Sequence, residues 1–136
     1  MKLSFIVIDD SELDCFIAGK LIRHTGKSLN IKTYANAALA LNDIRNHQPA
    51  DDVTTVILLD ILMPLMNGFD FLDEFESLPE ELKKRYFIIA ITSSLNKNDI
   101  GTIRNYASVR DVIDKPININ VVSKILENNN LRWTKE

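Results

Sequence analysis

Acidic, hydroxyl and basic side chains recur at the ends of apolar runs in this chain of 136 residues. Phe5-Ile6-Val7-Ile8 ends on Asp9-Asp10, and Val56-Ile57-Leu58-Leu59 ends on Asp60. The run from Phe87 to Ile91 ends on Thr92-Ser93, and the segment from Val109 to Asp114 ends on Lys115-Pro116. If these runs are parallel strands, their carboxyl ends lie side by side, and the crevice there is where an open sheet binds its ligand. Three acids, a hydroxyl and an ammonium then converge. Two carboxylates about 4 Å apart repel by roughly 4 kcal/mol at an effective dielectric near 20. Asp9, Asp10 and Asp60 therefore call for a proton or a cation. A hard divalent ion suits them, and Mg²⁺ bridges carboxylates to a phosphoryl oxygen while keeping several waters. A carboxylate can attack phosphorus to give an acyl phosphate. Such transfer asks chiefly for alignment and for neutralisation of charge on the phosphoryl oxygens, which Mg²⁺, Lys115 and the Thr92 hydroxyl could supply. Asp60 is the expected nucleophile. Its strand is central, and it opens the loop Asp60 to Gly68, in which Pro64 and Gly68 fix an unusual turn.

The elements that must hold these groups alternate between strand and helix. Strands are expected at about Leu3 to Ile8, Leu29 to Tyr34, Thr55 to Leu59, Phe87 to Ile91 and Val109 to Ile113. Between them, apolar residues recur at helical spacing. Leu13, Phe16, Ile17 and Leu21 mark a buried stripe on the first helix, with Cys15 beside it as a small core residue. Ala37, Ala40, Leu41 and Ile44 mark the second helix, and Phe69, Leu72 and Phe75 the third. Ile100, Ile103 and Ala107 mark the next, and Val121, Val122, Ile125 and Leu126 the last. A short extra turn is expected at Pro79 to Lys84, and the run Asn128-Asn129-Asn130 ends the last helix. Strands covered on both faces read as continuous apolar runs. The first, third and fourth do so, while the second and fifth carry Lys32, Arg110 and Asp111. The expected fold is α/β, a flavodoxin-like (βα)₅ unit. Its five-stranded parallel sheet has the order 2-1-3-4-5, with helices on both faces.

Bulk composition narrows the class. The length fits one domain, expected over residues 1–130 with a tail at 131–136. Hydrophobic residues make up 46% and charged residues 26%, ordinary for a globular protein. The net charge of −3 gives no broad basic surface, so direct nucleic-acid binding is not expected. No apolar run is long enough to span a bilayer. The chain enters a strand almost at once, which leaves no room for a signal peptide. A single cysteine fits a reducing compartment, so the cytoplasm is the expected location. A monomer or weak dimer is expected.

Taken together, Asp9-Asp10, the Asp60-x-x-Met63-Pro64-x-Met66-x-Gly68 motif, Thr92-Ser93 and Lys115-Pro116 resemble the response-regulator receiver domain of two-component signalling. The resemblance covers nearly the whole chain, in order and spacing. It implies that Asp60 accepts phosphate from a phosphohistidine on a sensor histidine kinase or a histidine phosphotransfer protein. It implies that Asp10, Asp60 and the backbone carbonyl of Leu62 bind Mg²⁺, with Asp9 assisting. It implies that Thr92 and Lys115 hold the phosphoryl oxygens, with Ser93 beside them, and that the Lys115-Pro116 bond is cis. It implies no enzymatic turnover beyond self-phosphorylation from a donor and autodephosphorylation. Output would run through contact with a downstream protein, or the chain would relay phosphate.

Three features depart from the family pattern. Val112 stands where receivers usually carry a switch aromatic. Leu62, two residues after the phosphoacceptor, is apolar and cannot orient a hydrolytic water, so slow loss of phosphate is expected. Only some ten residues follow the last helix, where many receivers continue into an output domain.

Plainer readings exist for single residues. Asp10 alone would read as a helix N-cap, and Thr92-Ser93 as a turn or cap. His24 and His47 sit at helix ends, where they complement the dipole. The alternative function is an aspartate-nucleophile phosphatase of the haloacid-dehalogenase type. Its general acid should stand two residues after the nucleophile, where this chain has Leu62. A flavodoxin would need a Gly, Ser and Thr-rich phosphate loop, and Asp9-Asp10-Ser11-Glu12 would repel a phosphate instead.

Overall fold

The strands with the most continuous apolar runs lie in the middle of the sheet. In the computed structural model, which describes residues 2–25, 28–46, 53–61, 67–92 and 97–131, five parallel strands pair in the order β2-β1-β3-β4-β5. They are β1 (Lys2–Ile8), β2 (Ser28–Tyr34), β3 (Val53–Asp60), β4 (Tyr86–Thr92) and β5 (Val109–Asp114). Every residue of β4 is buried, as is β3 from Thr55 onward. β2 and β5 form the edges and carry the exposed Lys32 and Arg110. The helices are α1 (Glu12–Thr25), α2 (Ala37–Asn46), α3 (Gly68–Glu76), the single turn α4 (Glu80–Lys83), α5 (Lys97–Arg104) and α6 (Ile119–Asn128). The expected order and element sequence are those observed. Ala107, expected at the end of the fourth large helix, lies instead in an exposed turn beyond α5.

Because alternate residues of a strand face opposite sides, the sheet separates two cores. One gathers Ile6, Ile8, Ile57 and Leu59 with α2, α3 and Ile103 of α5. The other gathers Phe5, Val7, Val56 and Leu58 with α1 and α6. All four apolar positions expected on α2 are buried.

α1 departs from expectation. Leu13 is 65% exposed and Phe16 61%, whereas Cys15, Ala18, Gly19 and Ile22 are buried. The buried set has spacing i, i+3, i+4, i+7 and the expected set i, i+3, i+4, i+8, so each fits one face of a helix. Three of its members are small: Cys15 and Ala18 pack with Ile22 in the core, Gly19 lies beneath the Arg23 side chain, and Leu13 and Phe16 are turned outward.

Helix ends are closed by side chains. Asn67 Oδ1 accepts the Asp70 backbone N–H at 3.0 Å, and Asp70 Oδ2 accepts that of Asn67 at 3.3 Å, a reciprocal cap on α3. α6 ends at the asparagine run: Asn130 takes a left-handed φ of 63°, and Leu131 N–H donates to the Leu126 carbonyl at 2.8 Å. α3 is also tied to the approach to β5. Tyr106 O–H donates to Asp73 at 2.7 Å, and Ser108 N–H donates to Glu76 at 2.9 Å.

Candidate functional site

At the carboxyl edge of the sheet, β1, β3 and β4 deliver Asp9, Asp60 and Thr92, all at most 5% exposed. Asp10 follows Asp9 and is exposed. One carboxylate oxygen from each of Asp9, Asp10 and Asp60 lies within 4.8 Å of the others. The three acids expected to converge do so. They offer only hard oxygen donors, the chemistry of a hard divalent cation.

Local backbone pairing fixes the acids. Asp9 N–H donates to the Tyr34 carbonyl at 3.0 Å, and Asp9 Oδ1 accepts the Ser11 N–H at 2.9 Å. Ile61 N–H donates to the Ile91 carbonyl at 3.1 Å, carrying the β3–β4 pairing one residue past Asp60. The capping role weighed for Asp10 belongs to Ser11, whose hydroxyl accepts the Asp14 N–H at 3.2 Å. That leaves Asp10 free to serve the acidic cluster.

Lys115 reaches the cluster from the end of β5. Its backbone N–H donates to the Thr92 carbonyl at 3.0 Å, and the Lys115-Pro116 bond is cis. Its Nζ lies 3.0 Å from Asp9, 3.5 Å from Asp60 and 2.9 Å from Asp14. Burial alone would lower the lysine pKa. The hydrogen bonds to Asp14 and Asp9 and the charges of Asp60 and Asp9 outweigh burial and hold it above the ordinary lysine value. Lys115 thus stays charged at the edge of the site.

Gly68 closes the loop after Asp60. Its N–H donates to the Ile61 carbonyl at 2.9 Å. A Cβ at Gly68 would stand 2.6 Å from Ile61 Cα and 3.0 Å from the Asp60 carbonyl oxygen, so only glycine fits without displacing the end of β3. Pro64, Leu62 and Ser93 lie outside the described residues. Val112 pairs with Ala90 across the β4–β5 ladder and is half-buried against the α3 side core. Tyr106 also packs there, with its ring centroid 6.4 Å from that of Phe69.

Two features were not read from the sequence. Asp14 contacts the lysine 101 residues away, a separation no local pattern reveals. The exposed Leu13, Phe16 and Ile17 stand on the outer side of the same helix.

With this geometry in place, comparison with known proteins is decisive for the class. The response regulator receiver domain family matches residues 5–127, and the chain belongs to it. The crystal structure of a response regulator receiver protein from Dyadobacter fermentans is 31% identical. It superposes with a TM-score of 0.83 over 93% of this chain and 96% of that one. Chemotaxis protein CheY4 of Vibrio cholerae, at 19% identity and a TM-score of 0.68, shares the fold over 94% of this chain and 98% of its own. Among curated relatives, protein-glutamate methylesterase/protein-glutamine glutaminase 2 of Shewanella sp. is 30% identical over 118 residues, 85% of this chain. The aerobic respiration control sensor protein ArcB of Escherichia coli is 24% identical over 131 residues, 92% of this chain. This chain spans only 30% and 15% of those two relatives. The family is a signalling one, and nothing in these matches supports the haloacid-dehalogenase alternative. Among the described residues, no helix is long and apolar enough to cross a membrane.

Proposed function

We propose that this chain is a phosphoacceptor response regulator in which Asp60 takes a phosphoryl group from a phosphohistidine. The observation that carries the reading is the meeting of Asp9, Asp10 and Asp60 within 4.8 Å, with the Lys115 ammonium 3.0 Å and 3.5 Å from two of them. Asp9, Asp10 and Asp60 would hold Mg²⁺, with the Leu62 carbonyl completing the set. When bound, the ion offsets the repulsion among the carboxylates and neutralises charge on the phosphoryl oxygens. Asp60 supplies the nucleophilic carboxylate oxygen from the end of β3, where the β3–β4 ladder fixes its backbone. Lys115 and the Thr92 hydroxyl hold the other phosphoryl oxygens, with Ser93 beside them. Pro64 and Gly68 shape the turn that follows Asp60, and cis-Pro116 sets the direction of the chain after Lys115.

The donor is a sensor histidine kinase or a histidine phosphotransfer protein. Leu13, Phe16 and Ile17 supply an exposed apolar surface on α1 for it to cover. Phosphorylation adds nearly two negative charges at Asp60. That change biases the segment after Thr92 and is read by a downstream protein, or the phosphate is passed on. With Val112 in place of an aromatic, switching does not use an aromatic rotamer at that position. The single cysteine and the family support a cytoplasmic setting. The chain acts as a monomer or weak dimer, without direct contact with nucleic acid and without enzymatic turnover beyond its own phosphorylation and dephosphorylation.

Incubation with acetyl phosphate and Mg²⁺, followed by intact mass measurement, tests this. One phosphoryl group should be gained by wild type and none by Asp60→Ala; equal gain by both would overturn it. A pull-down with and without a phosphoryl mimic separates output from phosphate relay.

A further inference from the structure

The shortest of the Lys115 ion pairs is to Asp14, which lies outside the metal cluster. Asp14 stands one helical turn beyond Asp10 on α1. Its Oδ2 accepts from Lys115 Nζ at 2.9 Å, against 3.0 Å for Asp9 and 3.5 Å for Asp60. An ammonium has three N–H donors; Asp14 and Asp9 accept hydrogen bonds from it, and Asp60 lies at ion-pair distance. A phosphoryl group arriving at Asp60 must compete with Asp14 and Asp9 for that ammonium. The Asp9 and Asp60 side chains are 7% and 5% exposed and belong to the acidic cluster, whereas that of Asp14 is 42% exposed at its rim. Asp14 and Lys115, in contact with each other, also line a cavity of about 280 Å³ with Asp9, Ile17 and Ile117. The paired side chains thus border open space.

We propose that Asp14 is a positioning residue that holds Lys115 toward α1 and so slows phosphorylation of Asp60. The proposal rests on the phosphoacceptor reading above. With acetyl phosphate as donor, a bond forms between an Asp60 carboxylate oxygen and phosphorus. The bond from phosphorus to the acetate oxygen breaks, and acetate leaves with that electron pair; no proton moves. Negative charge on the transferring oxygens is what Lys115 must meet, and it meets that charge fully only after turning from Asp14. Glu12, an exposed acid on the first turn of the same helix, has no such contact with Lys115 and provides a control for charge alone.

The experiment compares rates of phosphorylation by acetyl phosphate at saturating Mg²⁺, with intact mass as readout. Asp14→Asn should react faster than wild type by a factor of about 2 to 5, the range expected for a partly exposed ion pair. Asp14→Glu should keep the wild-type rate, and so should Glu12→Gln. In a Lys115→Met background, adding Asp14→Asn should change nothing, the non-additivity expected of a coupled pair. A second readout needs neither metal nor donor: the ¹⁵N resonance of the Lys115 ammonium should shift in Asp14→Asn and stay put in Glu12→Gln. The proposal is overturned if Asp14→Asn reacts no faster than wild type, if Glu12→Gln accelerates equally, if the effect survives without Lys115, or if the ammonium resonance does not move. If wild type gains no phosphoryl group at all, the phosphoacceptor reading is what fails.

Discussion

Replacing Gly68 with alanine tests whether the turn after Asp60 is fixed by close backbone approach. The added Cβ would lie 2.6 Å from Ile61 Cα, 2.7 Å from Ile61 Cδ1 and 3.0 Å from the Asp60 carbonyl oxygen. Carbon atoms pack best at about 3.5–4.0 Å, so two carbons overlap by roughly 1 Å, one of them in the main chain. A rotamer change relieves only the Cδ1 contact; the others require α3 or the end of β3 to shift. Overpacking of this kind costs about 1–3 kcal/mol. Helix propensity returns at most about 1 kcal/mol, and less at the first position of a helix. The expected net loss is about 2 kcal/mol, or roughly 6–8 °C in Tm for a domain of this size. Urea and thermal unfolding measure it. Because the displaced atoms belong to Asp60 and its neighbour, phosphorylation by acetyl phosphate should also slow by at least about tenfold, since a 1 Å misplacement near a reacting group can cost about a hundredfold. Gly101 on α5 is the control. A Cβ there meets nothing within 4 Å, and Gly101→Ala should stabilise by about 0.5–1 kcal/mol. If Gly68→Ala melts within about 1 °C of wild type and is phosphorylated at the wild-type rate, the steric argument is wrong.

Removing one acid should have opposite effects with and without metal. Asp10→Asn relieves repulsion in the cluster and should raise Tm in EDTA. Mg²⁺ at about 100 times its Kd should stabilise wild type by about 2.7 kcal/mol, and most of that gain should vanish in the variant; equal Mg²⁺ shifts in both would remove Asp10 from the metal site. Burial, then the charge of Asp9, pushes the Cys15 thiol up to about 11 from a reference of 9.0. Alkylation by iodoacetamide at pH 9 should therefore be at least roughly fiftyfold slower in native than in urea-unfolded protein, the ratio of the two thiolate fractions. Burial and then the hydrogen bond to Asp73 push the Tyr106 hydroxyl up to about 12. A raised folded pKa gives stability that is complete below the ordinary tyrosine value near 10. That stability is lost as pH rises toward 12. Urea melts at several pH values should show the advantage of wild type over Tyr106→Phe shrinking across that window, and a constant difference would contradict the assignment.

The middle of the sheet was legible because its strands are buried on both faces and so carry uninterrupted apolar runs, from Val56 to Leu59 and from Phe87 to Ile91. The edges were legible from Lys32 and Arg110. The acidic cluster followed, because residues at the ends of adjacent parallel strands must be neighbours. The orientation of α1 was not legible. Two faces of that helix both fit helical spacing, and hydrophobicity favours Leu13 and Phe16; the structure instead buries Cys15 and Ala18 with Ile22 in the core. Asp14 was hidden for another reason: its partner Lys115 is 101 residues distant, and an aspartate on the first turn of a helix reads as an ordinary dipole complement. Asp10 was ambiguous in sequence until Ser11 proved to be the cap.

The ties from Asp73 to Tyr106 and from Glu76 to Ser108 give α3 a second duty. The helix starts at Gly68, against the Asp60 backbone, and through those two carboxylates it grips the turn that feeds β5. Nucleophile and lysine are thus linked directly by charge across the crevice, and indirectly through a helix that touches the strand of one and the start of the strand of the other. Severing the ionic link leaves that second tie in place, so the entry of β5 stays docked to α3 while the charges at its far end respond to chemistry.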